Sequence, residues 1–339
     1  MQIENYYFYL ISTNFRLPNK KIFSLFSKFK KFKDVWDLLK SESKNLKIIE
    51  KEEVEKLLEK EEIEIITLKD EKYPKSLKQI PDPPLGIYFK GDFNLLNEFC
   101  LGIVGTRKAT KQGKAISKNF SYNLSKLGMV IVSGFAFGID ESAHEGAIEA
   151  GGKTIAVLGY GIDLAFKNKS LAKKINLFLS EFSPSTPGYK ENFPLRNRII
   201  AAICKGILVV EAPINSGALI TARLAVEYGK EVFVVPGDIW NLNFIGSNRL
   251  IKEGAKITTD VNDILEEFNF KIEKLKIFLS PEEEKFLNFI EKTGIDDLNK
   301  ILENFKDENQ NVLSLITNLE LKGVLKNIGG KIKILWKRV

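Results

Sequence analysis

The chain has 339 residues, 44% of them hydrophobic, and a formal charge of +7 from 51 basic and 44 acidic side chains. That length predicts two or three domains with ample apolar content for cores, and the surplus charge permits a polyanionic partner without demanding one. A single histidine excludes a histidine-rich metal site. Cys100 and Cys204 fall inside apolar patterns and read as buried small hydrophobes, not as a disulfide or a metal pair.

Met1-Gln2-Ile3-Glu4-Asn5 lacks the basic start of a secretory signal, and no run of about 18 apolar residues is present to span a membrane. A cytoplasmic protein is the expectation. Residues 4–58 read as several short helices. Ile22, Leu25, Phe26 and Phe29 make one apolar face, and Val35, Trp36, Leu38 and Leu39 another. The lysines crowded between positions 20 and 33 read as the solvated face of this bundle, with an accessory nucleic-acid-binding bundle as the alternative. Around 61–92 the pattern changes. Ile63, Ile65 and Ile66 suggest a strand and Leu85–Phe89 another extended piece, while Tyr73-Pro74, Pro81 and Pro83-Pro84 hold the segment as an extended lead-in strap packed on the central domain.

The apolar run Leu101–Val104 reads as a buried parallel strand that ends in Gly105-Thr106-Arg107. Ile116, Phe120, Leu124 and Leu127 then lie on one face of a helix that Gly128 stops. Met129–Val132 is the next strand. It ends in a second glycine turn, Ser133-Gly134-Phe135-Ala136-Phe137-Gly138, with Asp140 placed to cap the following helix. His144 stands four residues further on, where it could meet Asp140 on one helix face. A capping Asp beside a structural His is the expectation, because no serine or cysteine nucleophile is placed beside them.

Further strands are expected at Thr154–Leu158, Leu177–Ser180, Ile207–Val210 and Val232–Val235. Helices are expected at 140–150, 170–176, from Pro194 through about Lys205, and after Asn215-Ser216-Gly217. Such alternation predicts a doubly wound parallel sheet. Residues 269–279 read as a linker. In 280–339, Ser280-Pro281-Glu282-Glu283 opens the first of three helices, and Val324–Ile328, Gly329-Gly330 and Lys331–Trp336 form a hairpin. That order of elements suggests a winged helix.

Loops after parallel strands share one sheet edge, where ligands bind. Those after positions 104, 132, 210 and 235 are therefore expected to line a groove of backbone N–H groups with Arg107, Lys190 and Phe193. A lone Gly-x-x-Gly would be read as a tight turn; two in succession, one with Arg, favour phosphate. Lys190-Glu191-Asn192-Phe193-Pro194-Leu195-Arg196-Asn197-Arg198 adds cations, amides and an aromatic face for an unpaired base. At least one of its arginines is expected to pair internally with Glu181, Glu211 or Asp140. Ser216-Gly217 is a third anion loop. Gly-x-Gly-x-x-Gly is absent, since Arg107 stands where its third glycine belongs. Gly-x-x-x-x-Gly-Lys-Ser/Thr is absent too, so dehydrogenase and triphosphatase readings are disfavoured.

Taken in order, these motifs resemble the DNA-processing protein A (DprA/Smf) family from Ile66 to about Phe268. The resemblance is carried by Tyr73-Pro74, Val104–Arg107, Ser133–Asp140, Ala143-His144, Thr154–Gly159, Ser180-Glu181, Phe193–Arg198, Ser216–Ala222 and Pro236-Gly237. It implies an α/β chain with an extended Rossmann-like core over residues 61–268. A small helical N-terminal domain of SAM or helix-hairpin-helix type would occupy 1–60, and a winged-helix-like C-terminal domain 280–339. It further implies a non-enzymatic, cofactor-free protein that binds single-stranded DNA, protects incoming strands during natural transformation, hands them to the RecA recombinase, and dimerises through the Rossmann-like domain. By matching motifs, Gly105, Thr106, Arg107, Ser133 and Gly134 would contact phosphate. Lys190, Asn192, Phe193, Arg196 and Asn197 would form the pocket, and Ser216 and Gly217 a further phosphate contact. Where the family often has Tyr-Pro after the third strand, this chain has Phe166-Lys167. The alternative is a nucleotide-binding enzyme of the lysine-decarboxylase-like Rossmann group acting on nucleoside monophosphates. The Pro-Gly-Gly-x-Gly-Thr pattern of that group is missing, because Pro236-Gly237 continues as Asp238-Ile239-Trp240.

Overall fold

Between residues 100 and 235 each apolar run places alternate side chains on opposite faces of one sheet, as period-two strands must when both faces are covered. Cys100 and Val104 join one core with Ile155, Val157, Ile207, Val209, Val232 and Val234. Leu101, Ile103, Ile131, Leu208, Val210 and Phe233 join the core behind. The computed structural model describes residues 1–15, 20–166, 170–269, 280–305, 312–321 and 324–334. It resolves into two compact units, residues 1–270 and 271–339.

The first unit opens with α1 (Ile3–Asn14), α2 (Lys20–Phe29), α3 (Phe32–Glu42) and α4 (Lys51–Glu61). Next come β1 (Glu64–Thr67), α5 (Lys75–Lys78) and β2 (Gly86–Gly91). The winding core is then built from β3 (Cys100–Val104), α6 (Lys111–Lys126), β4 (Val130–Ser133), α7 (Ile139–Glu149), β5 (Thr154–Leu158) and β6 (Leu177–Ser180). It continues through α8 (Asn192–Ile203), β7 (Gly206–Val209), α9 (Gly217–Glu227), β8 (Glu231–Val234), α10 (Ile245–Lys252), β9 (Lys256–Ile257) and α11 (Asn262–Glu267).

The nine strands form one sheet in the order β1-β2-β6-β5-β4-β3-β7-β8-β9. From β6 to β9 all neighbours are parallel, with β3 flanked by β4 and β7. The chain leaves β3 toward β4 on one side and later returns to β7 on the other. The two sides therefore diverge at the carboxyl ends of β3 and β7, the crevice where open α/β sheets bind ligands.

The lead-in is more than a strap. β1 pairs antiparallel with β2, and β2 antiparallel with β6, so the sheet gains two strands. Tyr73 is buried beside them and donates its hydroxyl to Pro84 O at 2.6 Å. The N-terminal helices do not close a core of their own. Phe8, Phe32, Trp36 and Val54 share one cluster with Tyr88, Ala156, Leu158 and Phe178 of the sheet. Phe8 packs so tightly on β2 that a Cβ on Gly86 would sit 2.7 Å from its ring. Ser12 and Tyr88 share a 2.6 Å hydroxyl contact, and Asn5 Nδ2 donates to Ile65 O at 3.0 Å.

Residues 170–174 form a 3₁₀ turn rather than an α-helix. Phe166 packs against Phe178 with Lys90 over its ring, while Lys167 lies outside the described residues. Both cysteines are buried and free. Burial pushes the Cys100 thiol up to about 12, and that of Cys204 well above its ordinary value. No helix among the described residues is long and apolar enough to cross a membrane.

In the second unit, α12 (Pro281–Thr293), α13 (Leu298–Asn304) and α14 (Val312–Leu321) precede the hairpin β10 (Leu325–Ile328) and β11 (Lys331–Ile334). Its core gathers Phe286, Leu287, Ile301, Leu315, Leu319 and Leu325. The expected capping box forms. Ser280 Oγ accepts from Glu283 N–H, and the Glu283 carboxylate accepts from Ser280 N–H. Asp297 bridges Lys331, tying the α13 entry to the hairpin. Trp336 and all but the first residue of the expected linker lie outside the described residues.

Candidate nucleic-acid interface

The carboxyl ends of β3 and β7 open into a cavity of about 630 Å³. Gly105, Thr106 and Arg107 line it from the loop after β3, Ala136 from the loop after β4, and Asp140 from the first turn of α7. Gly188, Lys190, Phe193, Pro194, Arg196 and Asn197 come from the α8 entry, and Asn215, Ser216 and Gly217 from the α9 entry. The fourth expected loop, after β8, does not line it. There Asn248 Nδ2 donates to Gly237 O at 2.9 Å, its Oδ1 accepts from Gly237 N–H at 3.2 Å, and the turn is drawn toward α10 instead.

Two helix starts face this space. The first turns of α8 and α9, helices of 12 and 11 residues, bring the positive ends of their dipoles to its wall. Ser216 is the N-cap of α9, its hydroxyl accepting from Ala218 N–H. Ile220 and Thr221 also line the cavity, and chain reading missed them. They stand one helical turn after Ser216-Gly217, so the same face was available to periodicity.

Side chains divide into an exposed rim and a buried floor. Arg107 and Lys190 are exposed. Arg107 lays its guanidinium over the Phe193 ring, 4.4 Å from the centroid, a favoured cation–aromatic arrangement. Thus one face of Phe193 is covered by a cation that itself presents a planar surface and free-edge donors. Lining the floor, Arg196 is 4% exposed. It donates through Nη1 to Val157 O and through Nε to Asn197 Oδ1. Burial lowers its pKa to about 10 against the opposing pull of Asp140, which leaves it a cation at neutral pH. Asn197 Nδ2 in turn donates to Gly217 O at 3.1 Å, joining α8 to α9.

Both arginines of the Arg-Asn-Arg run have internal partners. Arg196 stands beside Asp140, and Arg198 pairs with buried Glu181 at 2.6 Å and with Asp82 at 3.2 Å. Asp140 does not cap its own helix. Gly138 is the N-cap of α7, and the Asp140 carboxylate accepts from Gly134 N–H at 3.1 Å. Nor does Asp140 orient His144, whose Nδ1 meets Thr154 Oγ1 at 2.7 Å. Burial raises the Asp140 pKa, with Arg196 the strongest opposing influence.

Ser133, Gly134 and Asn192 do not line the cavity. Ser133 Oγ is used on Ile103 O, and Gly134 is the floor under Arg196. Asn192 is buried with its amide toward Pro187 O. A Cβ at Gly134 would lie 2.6 Å from Arg196 Cζ. Gly134→Ala is therefore expected to displace that guanidinium and lower stability by about 1–3 kcal/mol, measured by urea denaturation; an unchanged midpoint would contradict this packing.

Sequence reasoning also missed the residue that holds the loops in register. Glu211 is fully buried. Its carboxylate accepts from Thr110 N–H and Oγ1 and from Asn243 Nδ2, and its backbone carbonyl accepts from Thr106 N–H at 2.7 Å. Chain spacing carries no trace of this hub, since Thr110 and Asn243 are 101 and 32 residues away.

Residues 64–269 match a family model described as DNA recombination-mediator protein A. The chain is 44% identical over 207 residues to DNA processing protein DprA of Streptococcus pneumoniae, covering 59% of this chain and 73% of that protein. The X-ray structure of the pneumococcal protein superposes with a TM-score of 0.66 at 33% identity, covering 79% of this chain and 99% of that one. DNA processing protein A of Helicobacter pylori, solved for its single-stranded DNA binding mode, gives a TM-score of 0.54 at 30% identity, with 61% and 97% covered.

Proposed function

Because the chain belongs to the DNA recombination-mediator protein A family, we propose that its groove binds single-stranded DNA, shields incoming strands, and passes them to the RecA recombinase during transformation and recombination. Members of this family bind DNA and perform no turnover chemistry. The observation that carries the proposal is the meeting, in one cavity, of two helix starts, the exposed cations Arg107 and Lys190, and the Phe193 ring. Amide-lined helix ends and cations suit phosphates, and an aromatic–guanidinium stack suits unpaired bases. The Helicobacter pylori relative, described by its single-stranded DNA binding mode, supports the same ligand. In this reading Ser133, Gly134 and Asn192 shape the groove from below, and the remaining named residues touch the strand. A homodimer through the sheet domain and a winged-helix role for the second unit belong to the same proposal.

The nucleoside-monophosphate alternative needs a carboxylate available to a sugar. Among the described residues lining the cavity, Asp140 is the sole carboxylate, and it is held by Gly134 N–H beside Arg196.

Anisotropy titration with labelled oligo-dT tests the proposal. Affinity is expected to fall linearly on a log–log plot against salt, with a slope of about −0.7 per phosphate contacted. Absence of binding at low ionic strength, or equal affinity for blunt duplex, would sink it.

A further inference from the structure

The turn after β8, which leaves the cavity, has an unusual tip. Ile239 is 74%, Trp240 86% and Leu242 72% exposed, three large apolar side chains within four residues. Such a cluster on a surface marks an interaction site more often than chance. The tip is not a loose loop. Trp240 N–H donates to Asp238 Oδ1 at 2.9 Å, Asn241 N–H to Asp238 O at 3.1 Å, and Asn243 N–H to Asn241 Oδ1 at 3.0 Å.

The same turn is fastened on both sides to loops that line the groove. Asn243 Nδ2 donates to Lys108 O at 3.0 Å, one residue beyond Arg107, and to Glu211. Ser247 N–H donates to Ala212 O at 3.0 Å, immediately before the lining residue Pro213. The turn that carries the exposed indole is therefore tied to the same sheet edge at Lys108, the exposed residue that follows Arg107.

Resting on the single-stranded DNA reading above, we propose that Trp240, flanked by Ile239 and Leu242, is a second base-stacking platform that receives the strand as it leaves the groove past Arg107 and Lys108. An exposed indole on a hydrogen-bonded turn offers a large face to any base, and Lys108, bonded to the same turn, adds a charge for the phosphates. The occupant is nucleic acid because the turn is bonded to Lys108, an exposed cation next to the groove residue Arg107. Two platforms, Phe193 inside and Trp240 outside, would make affinity depend on strand length.

The test uses the full chain with oligo-dT of about 6 and about 20 nucleotides. Trp240→Ala is expected to weaken the longer strand about tenfold and leave the shorter unchanged, while Trp240→Phe retains most of the affinity. In a Trp336→Phe background, which leaves Trp36 and Trp240 as the tryptophans, emission should fall on adding the longer strand and fall much less once Trp240→Phe is added, since Trp36 is buried. If Trp240→Ala binds both lengths normally while the unsubstituted protein binds DNA, the platform is refuted and the groove stands. If Trp240→Ala alters the sedimentation coefficient and not length-dependent affinity, the tip is a contact between copies and the inference is overturned. Failure of the unsubstituted protein to bind either length overturns both readings.

Discussion

Replacing Arg107 and Lys190 together by alanine is expected to weaken oligo-dT binding by roughly 10- to 100-fold and to flatten the salt dependence by about 1.4 log units per log unit of salt. The second figure follows from losing two phosphate contacts of a single strand. Both side chains are exposed on the groove wall, so neither loss should unfold the protein. The single variants separate two roles of Arg107. Arg107→Lys keeps the charge and loses the plane that covers Phe193. It should preserve the salt slope while lowering affinity at every salt concentration. Arg107→Ala removes the charge as well as the plane, so its loss should exceed that of Arg107→Lys and its salt slope should flatten by about 0.7. Unchanged affinity in the double variant would place the DNA elsewhere.

The second large effect is on stability. Arg198→Ala should cost about 3–5 kcal/mol, out of a total near 5–15 for a domain of ordinary stability, because it strands a buried carboxylate. Glu181 and Arg198 are 2% and 3% exposed, and their contact is 2.6 Å. Burial already raises the Glu181 pKa against the pull of Arg198. Without that guanidinium the shift grows. An acid whose folded pKa is raised contributes its stability at low pH and loses it as pH climbs through the folded value. The deficit of Arg198→Ala should therefore be larger at neutral pH than near pH 5, and Glu181→Gln in the same chain should recover part of it. Urea denaturation at the two pH values checks both statements; a deficit independent of pH would mean that Glu181 is not the stranded group.

Much of this arrangement was legible in the chain because it obeys local rules. Buried parallel strands are short apolar runs, and helices stop where a residue must take positive φ, as Gly128 does at +85°. Gly105–Arg107, Phe193–Asn197 and Ser216-Gly217 sit at strand or helix ends, and topology gathers such ends on one sheet edge. What escaped the chain are partnerships between distant groups of ambiguous chemistry. Asp140 had a plausible local role at its helix start, yet its carboxylate reaches back to Gly134 because Arg196 arrives there from another helix. His144 takes Thr154 for the same reason: a strand, not its own helix, passes nearest. Glu211 looked like an arginine partner and is a loop anchor. The segment from Leu242 to Glu267 carried too few periodic apolar residues to reveal α10, β9 and α11. The turn after β8 was expected in the groove because nothing local announces the hold of Asn248 on Gly237.

The shared core of the N-terminal helices and the sheet has a practical corollary. The stretch recognised by family comparison begins at residue 64, but the folding unit begins at the first helix. Excising residues 1–63 would strip Tyr88 of the aromatic lid formed by Phe8 and Tyr9, with Phe32 against Phe8, baring apolar surface on the sheet. The span of the family model and the compact unit therefore have different limits, and the larger one is expected to melt as a single transition.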